Sequence, residues 1–486
     1  MYKLSNLKKN YIFNVLVVVI ESIITLLLTP IMARVLESSG TGIYSYTYSL
    51  ITMFTLIGAL GTSTHAQRKI AMNLDNKDEY SKIFWEIFIL RSIFVIISFL
   101  IFLLTILLLN KYIMFFIIQI PYFLSAIIDI SWLYEGLEKF KGLALKNLIF
   151  KIIGATLVLL LVHNKDDLWI YLLVLSLSSL LGQVVLWLNI GKYVNKIKIS
   201  ELNLKRHFKD ILMYFVPTIA YQFYSLIDKV LLGLLSSEEE TGYYEKAQQI
   251  VAFCATLFNA YNVVIRSRIS YLFMKKDQKE IDDKITKSLS FVFGLSLPIA
   301  LGIIGIANNF VPWYLGEGYI KVATLLMILA PVVIIMALRM CIGSIIYTPF
   351  GLQSKSNVAE VIAAVFNCVL TAILIPLLDS IGASIASICA ELLVLILFVI
   401  YAQKHHYLNL KEILKNIYKY VISALIMFVA VYFIGKLMDG IIATVIQIIG
   451  GAIIYFLLLL ILKDKIFYET IKSLFFTKKE GVINEQ

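Results

Sequence analysis

Thr41-Gly42-Ile43-Tyr44 opens an apolar stretch that runs to Arg68, and Thr241-Gly242-Tyr243-Tyr244 opens a second that runs to Arg268 at the same offset, about 200 residues later. Upstream, Arg34-Val35-Leu36 has a partner in Lys229-Val230-Leu231, displaced by a few residues of loop. Self-similarity over so long a period points to two related halves rather than to a solenoid. In a chain this apolar, paired halves point to a transporter with its substrate between them.

The apolarity is decisive for class. The 486 residues are 60% hydrophobic and 15% charged, with a mean hydropathy of +0.86. Soluble domains average roughly 45–50% apolar and about 25% charged. A span needs about 20 largely apolar residues. On that measure the chain divides into about fourteen helices, near 11–35, 41–65, 83–109, 112–134, 145–162, 168–190, 211–235, 243–265, 288–311, 320–347, 357–377, 381–402, 416–436 and 440–462. A transmembrane barrel would show about ten residues of alternating polarity per strand, whereas Leu100 to Leu109 is almost continuously apolar. The expected fold is an all-α polytopic membrane protein. It has two pseudo-symmetric six-helix lobes, residues 1–191 and 192–406, followed by two further helices and a tail in 407–486. An even number of helices per repeat gives both copies one orientation, so the relating axis is expected along the membrane normal.

A net charge of +11 would suit nucleic acid until it is placed on this topology. With the N-terminus inside, alternate loops hold roughly 33 of the 43 Lys and Arg on the inner face and about four on the outer face. The outer loops carry Glu238-Glu239-Glu240, Asp166-Asp167 and Glu317. This is the positive-inside pattern, and both termini are expected in the cytoplasm. No cleavable leader is expected, because the first apolar run is too long and contains Glu21 and Pro30. Cys254, Cys341, Cys368 and Cys389 lie singly in predicted helices and form neither a disulfide framework nor a metal site. The longest loops, of about twenty residues, are too short for a folded domain, which takes at least ~50. Function therefore belongs to the helices.

Charges at membrane depth are functional candidates, since each costs about 2.5–3.5 kcal/mol at a helix centre. Arg91, Lys151 and Arg339 lie about two turns in from the inner ends of helices three, five and ten. Arg34, Lys229 and Lys246 sit nearer the outer ends of helices one, seven and eight, while Arg68 and Arg268 close helices two and eight at the inner face, with Arg266 beside the latter. Turned inward, they would line a cationic cavity suited to phosphate, which arginine binds through paired hydrogen bonds. Other readings stay open. Arg68, Arg266 and Arg268 also fit inside anchors, Lys246 fits a side chain snorkelling to the headgroups, and Lys229 fits a partner for Asp228 or a lipid phosphate. Glu21 and Glu391 are the deepest acids and read either as ion- or proton-coupling groups or as structural hydrogen-bond partners. Pro121 and Pro331 occupy similar places in the two halves, as paired interruptions near a moving region or as tolerated kinks. The five histidines lack metal-ligand spacing, and no Walker loop or catalytic constellation is present in the sequence.

Three stretches carry a family resemblance. Trp132-Leu133-Tyr134-Glu135-Gly136-Leu137-Glu138-Lys139-Phe140 is similar to the segment after helix four in bacterial polysaccharide flippases of the Wzx type. Ile227-Asp228-Lys229 resembles the acid–base pair that ends helix seven there, and Ile375-Pro376 with Ile381-Gly382-Ala383-Ser384-Ile385-Ala386 resembles their signature between helices eleven and twelve. The resemblance implies the multidrug/oligosaccharidyl-lipid/polysaccharide exporter superfamily, with two lobes in a V around a central cavity. It implies flipping of an undecaprenyl-diphosphate-linked oligosaccharide from the inner to the outer leaflet of the bacterial cell membrane. Lipid II flippases line their cavity with arginines of helices one, two and eight, which here fit Arg34, Arg68, Arg266 and Arg268. Expected partners are the lipid-linked substrate, membrane lipids and polysaccharide polymerase machinery, with no nucleic acid. No cofactor or metal is expected, and proton or sodium coupling falls to Glu21 and Glu391. Rival readings are a lipid II-type flippase, a drug/cation antiporter of the same fold, and a membrane polymerase or glycosyltransferase. The antiporter would need an acidic or apolar cavity, and the enzymes a large outer loop or a clustered acidic site.

Overall fold

Apolar runs that cannot leave a backbone group unsatisfied in lipid fold as helices, and the computed structural model, which describes residues 2–275 and 277–464, shows no strand among them. The helices are α1 (Tyr2–Ala59), α2 (Thr62–Met72), α3 (Lys77–Leu109), α4 (Ile113–Ile118), α5 (Ile120–Ile127), α6 (Ser131–Gly136), α7 (Phe140–Leu161), α8 (Leu168–Trp187), α9 (Ile190–Tyr193) and α10 (Lys205–Leu235). They continue as α11 (Glu238–Lys275), α12 (Gln278–Leu315), α13 (Ile320–Ile342), α14 (Gln353–Lys404), α15 (Leu410–Leu437) and α16 (Gly440–Ile461). Among the described residues, eleven helical segments are long and apolar enough to cross a membrane. Two of them, α1 and α14, are broken by the non-helical residues Glu37 and Asp379 and so hold two spans each. With α10, of 31 residues, in the place of the seventh span, the polytopic all-α architecture is the one read from the sequence.

Local signals explain individual elements. α3 starts where the Asn76 side chain accepts from Glu79 N, with Asp78 and Glu79 in the first turn against the helix dipole. From Ile93 to Leu109 its only polar residues are Ser98 and Thr105. Their hydroxyls donate to the carbonyls of Phe54 (2.6 Å) and Ile101 (2.9 Å). The two halves of the repeat then diverge. The second span ends at Leu60 and Gly61, both left-handed at φ 49° and 70°, and the chain restarts as the amphipathic α2. The corresponding stretch of α11 has Tyr261 there and runs on to Lys275. Arg68 therefore lies on a separate short helix and does not close helix two, whereas Arg268 lies within α11. The prolines diverge as well. Pro121 opens α5 after a break at Gln119, but α13 passes through Pro331 unbroken and turns irregular only at the π-helical stretch Gly343–Tyr347.

The chain forms two compact units, Met1–Gly242 and Tyr243–Gln486. In the first, aromatic side chains dominate the core: Phe84, Trp132 and Leu133 form one cluster with Ile87 and Tyr134, and Tyr46, Phe102, Phe116 and Phe123 form another. The repeated Thr-Gly elements meet in this unit. A Cβ on Gly42 would run into the carbonyl oxygen of Glu238, and a Cβ on Gly242 into that of Ser38. The contact is reciprocal, and only glycine permits this approach. In the second unit α15 and α16 pack on α12. Gln447 Nε2 donates to Val431 O at 2.9 Å, Trp313 Nε1 donates to Thr444 Oγ1 at 2.8 Å, and Tyr455 donates to the Gly294 carbonyl.

Two stability measurements follow from this geometry. Gly42→Ala and Gly242→Ala should each destabilise the protein by about 1–3 kcal/mol through overpacking, seen as a lower thermal midpoint in detergent. Glu37 sits at φ 58°, ψ −178°, a region nearly exclusive to glycine that costs of order 1–3 kcal/mol. Glu37→Gly should therefore raise the same midpoint.

Candidate functional site

Polar side chains in an apolar helix gather on one face when they recur at i, i+3 and i+7. α11 carries Asn259, Asn262 and Arg266 at that spacing, and α14 carries Gln353, Ser356 and Glu360. The two stripes line one cavity of about 360 Å³ in the second unit, together with Arg339 and Met340 of α13, Gly343, Ser344 and Thr348 of the π-helical region, and Phe398. π-Helical insertions recur at functional sites because they rotate the following residues onto a new face. Here the insertion puts Ser344 in the wall, where its hydroxyl donates to Asn262 O at 3.3 Å.

Charge is nearly balanced in this wall. Arg339 is 5% exposed and its Nε lies 2.8 Å from Glu391 Oε2, itself on a residue 4% exposed. An Nη1 contact of 3.5 Å reaches Glu360. Two carboxylates thus surround one guanidinium. Arg266 reaches the same cavity and has no carboxylate at ion-pair distance among the described residues. Asn262 is buried, and its Oδ1 finds no hydrogen-bond partner among the described residues. A buried carbonyl oxygen without a donor costs about 1–3 kcal/mol. The cavity thus offers a cation and a ready acceptor to an anionic, hydroxylated ligand.

The other anticipated residues are dispersed. Arg91 is buried and fully engaged: Nη1 donates to Thr62 Oγ1 (3.1 Å) and Ser63 Oγ (2.8 Å), Nε to Ala126 O (3.1 Å), and Nη2 to Asp129 Oδ2 (2.8 Å). It ties α3 to α2 and to the end of α5. Glu21 of α1 lies within Coulombic reach of Lys151 and of Lys146 on α7. Arg34 and Arg68 are exposed, and Lys229 is half-buried on α10 beside the buried Asp228. Arg268 is exposed and pairs with Glu280 at 2.7 Å. Of the ten anticipated positions, the cavity wall holds Arg266 and Arg339, with Glu391 bound behind Arg339. Asn259, Asn262 and Ser356 were missed, although their helical spacing beside Arg266 and Glu360 was visible, and Ser344 was missed because only the π-helical stretch brings it there.

Breaking the buried pair has a calculable cost. Arg339→Ala leaves Glu391 buried without its counter-charge and should lower stability by about 3–5 kcal/mol. Adding Glu391→Gln should recover much of that loss, and thermal unfolding of the single and double variants measures both.

A family model described as polysaccharide biosynthesis protein matches residues 7–266, and one described as lipid II flippase MurJ matches residues 138–452. The chain is 25% identical over 409 residues to the "Putative O-antigen transporter" of Escherichia coli strain K12, covering 82% of this chain and 97% of that protein. In fold it resembles a lipid II flippase MurJ in an inward closed conformation, at a TM-score of 0.72 and 18% identity, over 95% of this chain and 99% of that one. A multidrug resistance MATE family transporter in an inward-facing conformation aligns at a TM-score of 0.56 and 14% identity, over 79% of this chain and 98% of that one.

Proposed function

The chain belongs to the polysaccharide biosynthesis protein family, and from that premise we propose that it flips an undecaprenyl-diphosphate-linked oligosaccharide from the cytoplasmic to the outer leaflet by alternating access. At the coarser level it is a multi-pass membrane transporter, a flippase for lipid-linked oligosaccharide. The observation that carries the finer reading is the cavity of Arg266, Arg339 and Asn262. A polyprenyl tail can stay in lipid while its head group crosses, so the protein need shield only diphosphate and sugar. Arg266, with no carboxylate at ion-pair distance among the described residues, supplies a cation for phosphate oxygens. Asn259, Asn262, Ser344, Ser356 and Glu360 supply hydrogen-bond partners for sugar hydroxyls.

Glu360 and Glu391 both turn to Arg339, which supports an anionic head group over an organic cation, because the wall's carboxylates are engaged while Arg266 has none at ion-pair distance among the described residues. Lys151 beside Glu21 is proposed as a second basic position, in the first unit. Arg34, Arg68, Lys229 and Arg268 are proposed to assist electrostatically from their more exposed places. Rocking of two lobes would offer the head group to either face in turn. Membrane lipid accommodates the tail, and polymerase machinery receives the product in the bacterial cell membrane. The basic loops support a cytoplasmic side for both termini. Proton or sodium coupling is assigned to two acids, the half-buried Glu21 acting against its lysines and the buried Glu391 against Arg339.

Reconstituted protein given a short-chain lipid-diphosphate oligosaccharide should make it accessible in the opposite leaflet. Protein-free vesicles set the background, and no rise above it under any ion gradient would sink the reading. Arg266→Ala removes a charge-assisted hydrogen bond worth about 1.5–3 kcal/mol. Apparent affinity should therefore fall roughly tenfold or more, with an unchanged thermal midpoint.

A further inference from the structure

One end of the first unit holds a charged cluster that substrate binding leaves unused. Glu86 of α3 is fully buried. Its Oε1 accepts from Asn203 N at 2.7 Å, and its Oε2 accepts from Arg206 Nε at 2.7 Å and meets His207 Nε2 at 2.7 Å. His207 Nδ1 lies 3.0 Å from His65 Nε2, and His65 Nδ1 lies 4.0 Å from Asp210 Oδ2. The two histidines are 1% and 2% exposed, whereas the Asp210 side chain is 43% exposed. A line of nitrogens and oxygens thus leads from water to a buried carboxylate.

Hydrogen placement follows from the acceptors. Glu86, held by the Arg206 guanidinium, accepts only, so His207 Nε2 bears a hydrogen. A neutral His207 then accepts at Nδ1, which makes His65 Nε2 the donor and turns the His65 Nδ1 lone pair toward Asp210. One added proton resolves that facing of acceptors. It bonds to His65 Nδ1 and points at Asp210, the His65 Nε2–H bond breaks, and that proton moves to His207 Nδ1. His207 is then an imidazolium between Glu86 and His65, and His65 is a neutral Nδ1–H ring. A second proton would put two like charges side by side.

The surroundings are charge-balanced with both rings neutral. α2 contributes Arg68 and Lys69, α3 contributes Glu79 and Glu86, and α10 contributes Arg206 and Asp210. Lys69 pairs with Asp210 at 3.3 Å, and Arg206 Nη1 with Glu79 at 2.8 Å. Burial above all, then the neighbouring ring, pushes His65 down to about 4, and burial also lowers His207 against the pull of Glu86. Both rings therefore bind protons less readily folded than unfolded. Their stabilising effect is full above about pH 6.5 and is lost as pH falls toward about 4.

The cluster also holds a segment of the chain. The start of α3 stitches down the crossover between α9 and α10. Lys77 donates to Lys192 O (3.1 Å), Tyr80 to Tyr193 O (2.9 Å) and Trp85 to Asn195 O (3.0 Å), while Ser81 accepts from Asn195 N (2.9 Å). Glu86 fastens the far end of the crossover through Asn203 and Arg206. An imidazolium at His207 competes with Arg206 for the same carboxylate oxygen.

We propose that His65 and His207 form a single proton-binding site, reached from water past Asp210, whose occupancy loosens the hold of Glu86 on Arg206 and on the crossover into α10. Any use of this proton in moving substrate rests on the flippase reading; the site itself does not.

Solid-state NMR of ¹⁵N-histidine-labelled protein in liposomes tests it. His163, His405 and His406 are exposed and serve as internal references. At pH 7.5 both buried rings should be neutral Nε2–H tautomers. Between pH 7.5 and 4.5 one should become imidazolium as the other becomes Nδ1–H, in equal amounts. Hydrogen exchange at residues 203–210, corrected for intrinsic rates, should rise at least tenfold over the same range. Two rings that titrate independently, or rings unchanged at pH 4.5, overturn the proposal. Glu86→Gln should lower the midpoint by about one pH unit or more. His65→Phe, which removes the acceptor for the new N–H, should also lower the His207 midpoint and serves if the Glu86 variant does not fold. An unmoved midpoint in a folded variant counts against the site. Protein that shows the tautomer exchange but moves no lipid-linked glycan removes the transport reading alone. Protein that moves glycan without the exchange removes the proton site alone.

Discussion

Two main-chain carbonyls and two missing side chains fix where the repeated Thr-Gly elements meet in the first unit. Gly42 faces the Glu238 carbonyl and Gly242 faces that of Ser38. Backbones this close exclude every residue with a Cβ, which explains why Thr-Gly is the part of the duplication that survives almost unchanged in sequence. The hairpin turns around the contact are less forgiving. Glu37 adopts a conformation costly for any residue but glycine, so the close approach is maintained against local strain.

Buried charge follows a second rule. Arg91 and Arg339 sit at comparable depths and are the two arginines 5% exposed. Each is held at 2.8 Å by a carboxylate. Such pairs return little net stability because desolvating both partners is expensive, so their value lies in fixing geometry. Arg91 locks α2 and α5 onto α3. Arg339 holds Glu360 and Glu391 at the wall of a cavity, where Arg266 has no carboxylate at ion-pair distance among the described residues. Mid-helix depth alone marks a residue as constrained; its partners decide whether it holds the fold or meets a ligand.

Much of the architecture was legible from hydropathy, since backbone satisfaction in lipid leaves few choices. The breaks were harder to see. Gly61 ends the second span, and Tyr261 lets its counterpart continue, a one-residue difference that put Arg68 on α2. Arg339 was chosen for depth and charge and Arg266 through the family resemblance, and both line the cavity. Arg91 was chosen on the same grounds, but its partner Asp129 sits near the end of the fourth span, where an acid attracts little notice. Asn259 and Asn262 are uncharged and carry no insertion penalty large enough to flag them. The pairing of His65 with His207, 142 residues apart, is a tertiary fact that no local pattern encodes.

The Arg91–Asp129 pair also bears on biogenesis. Arg91 leaves the ribosome 38 residues ahead of its counter-charge. At about 5–20 residues per second, the gap lasts seconds. During that time the third span carries an unmatched guanidinium at a depth that costs about 2.5–3.5 kcal/mol. The long apolar run from Ile93 to Leu109 has to offset that cost until the fourth span arrives with Asp129. The same side chain then ties the end of α5 to α3 through Ala126 O.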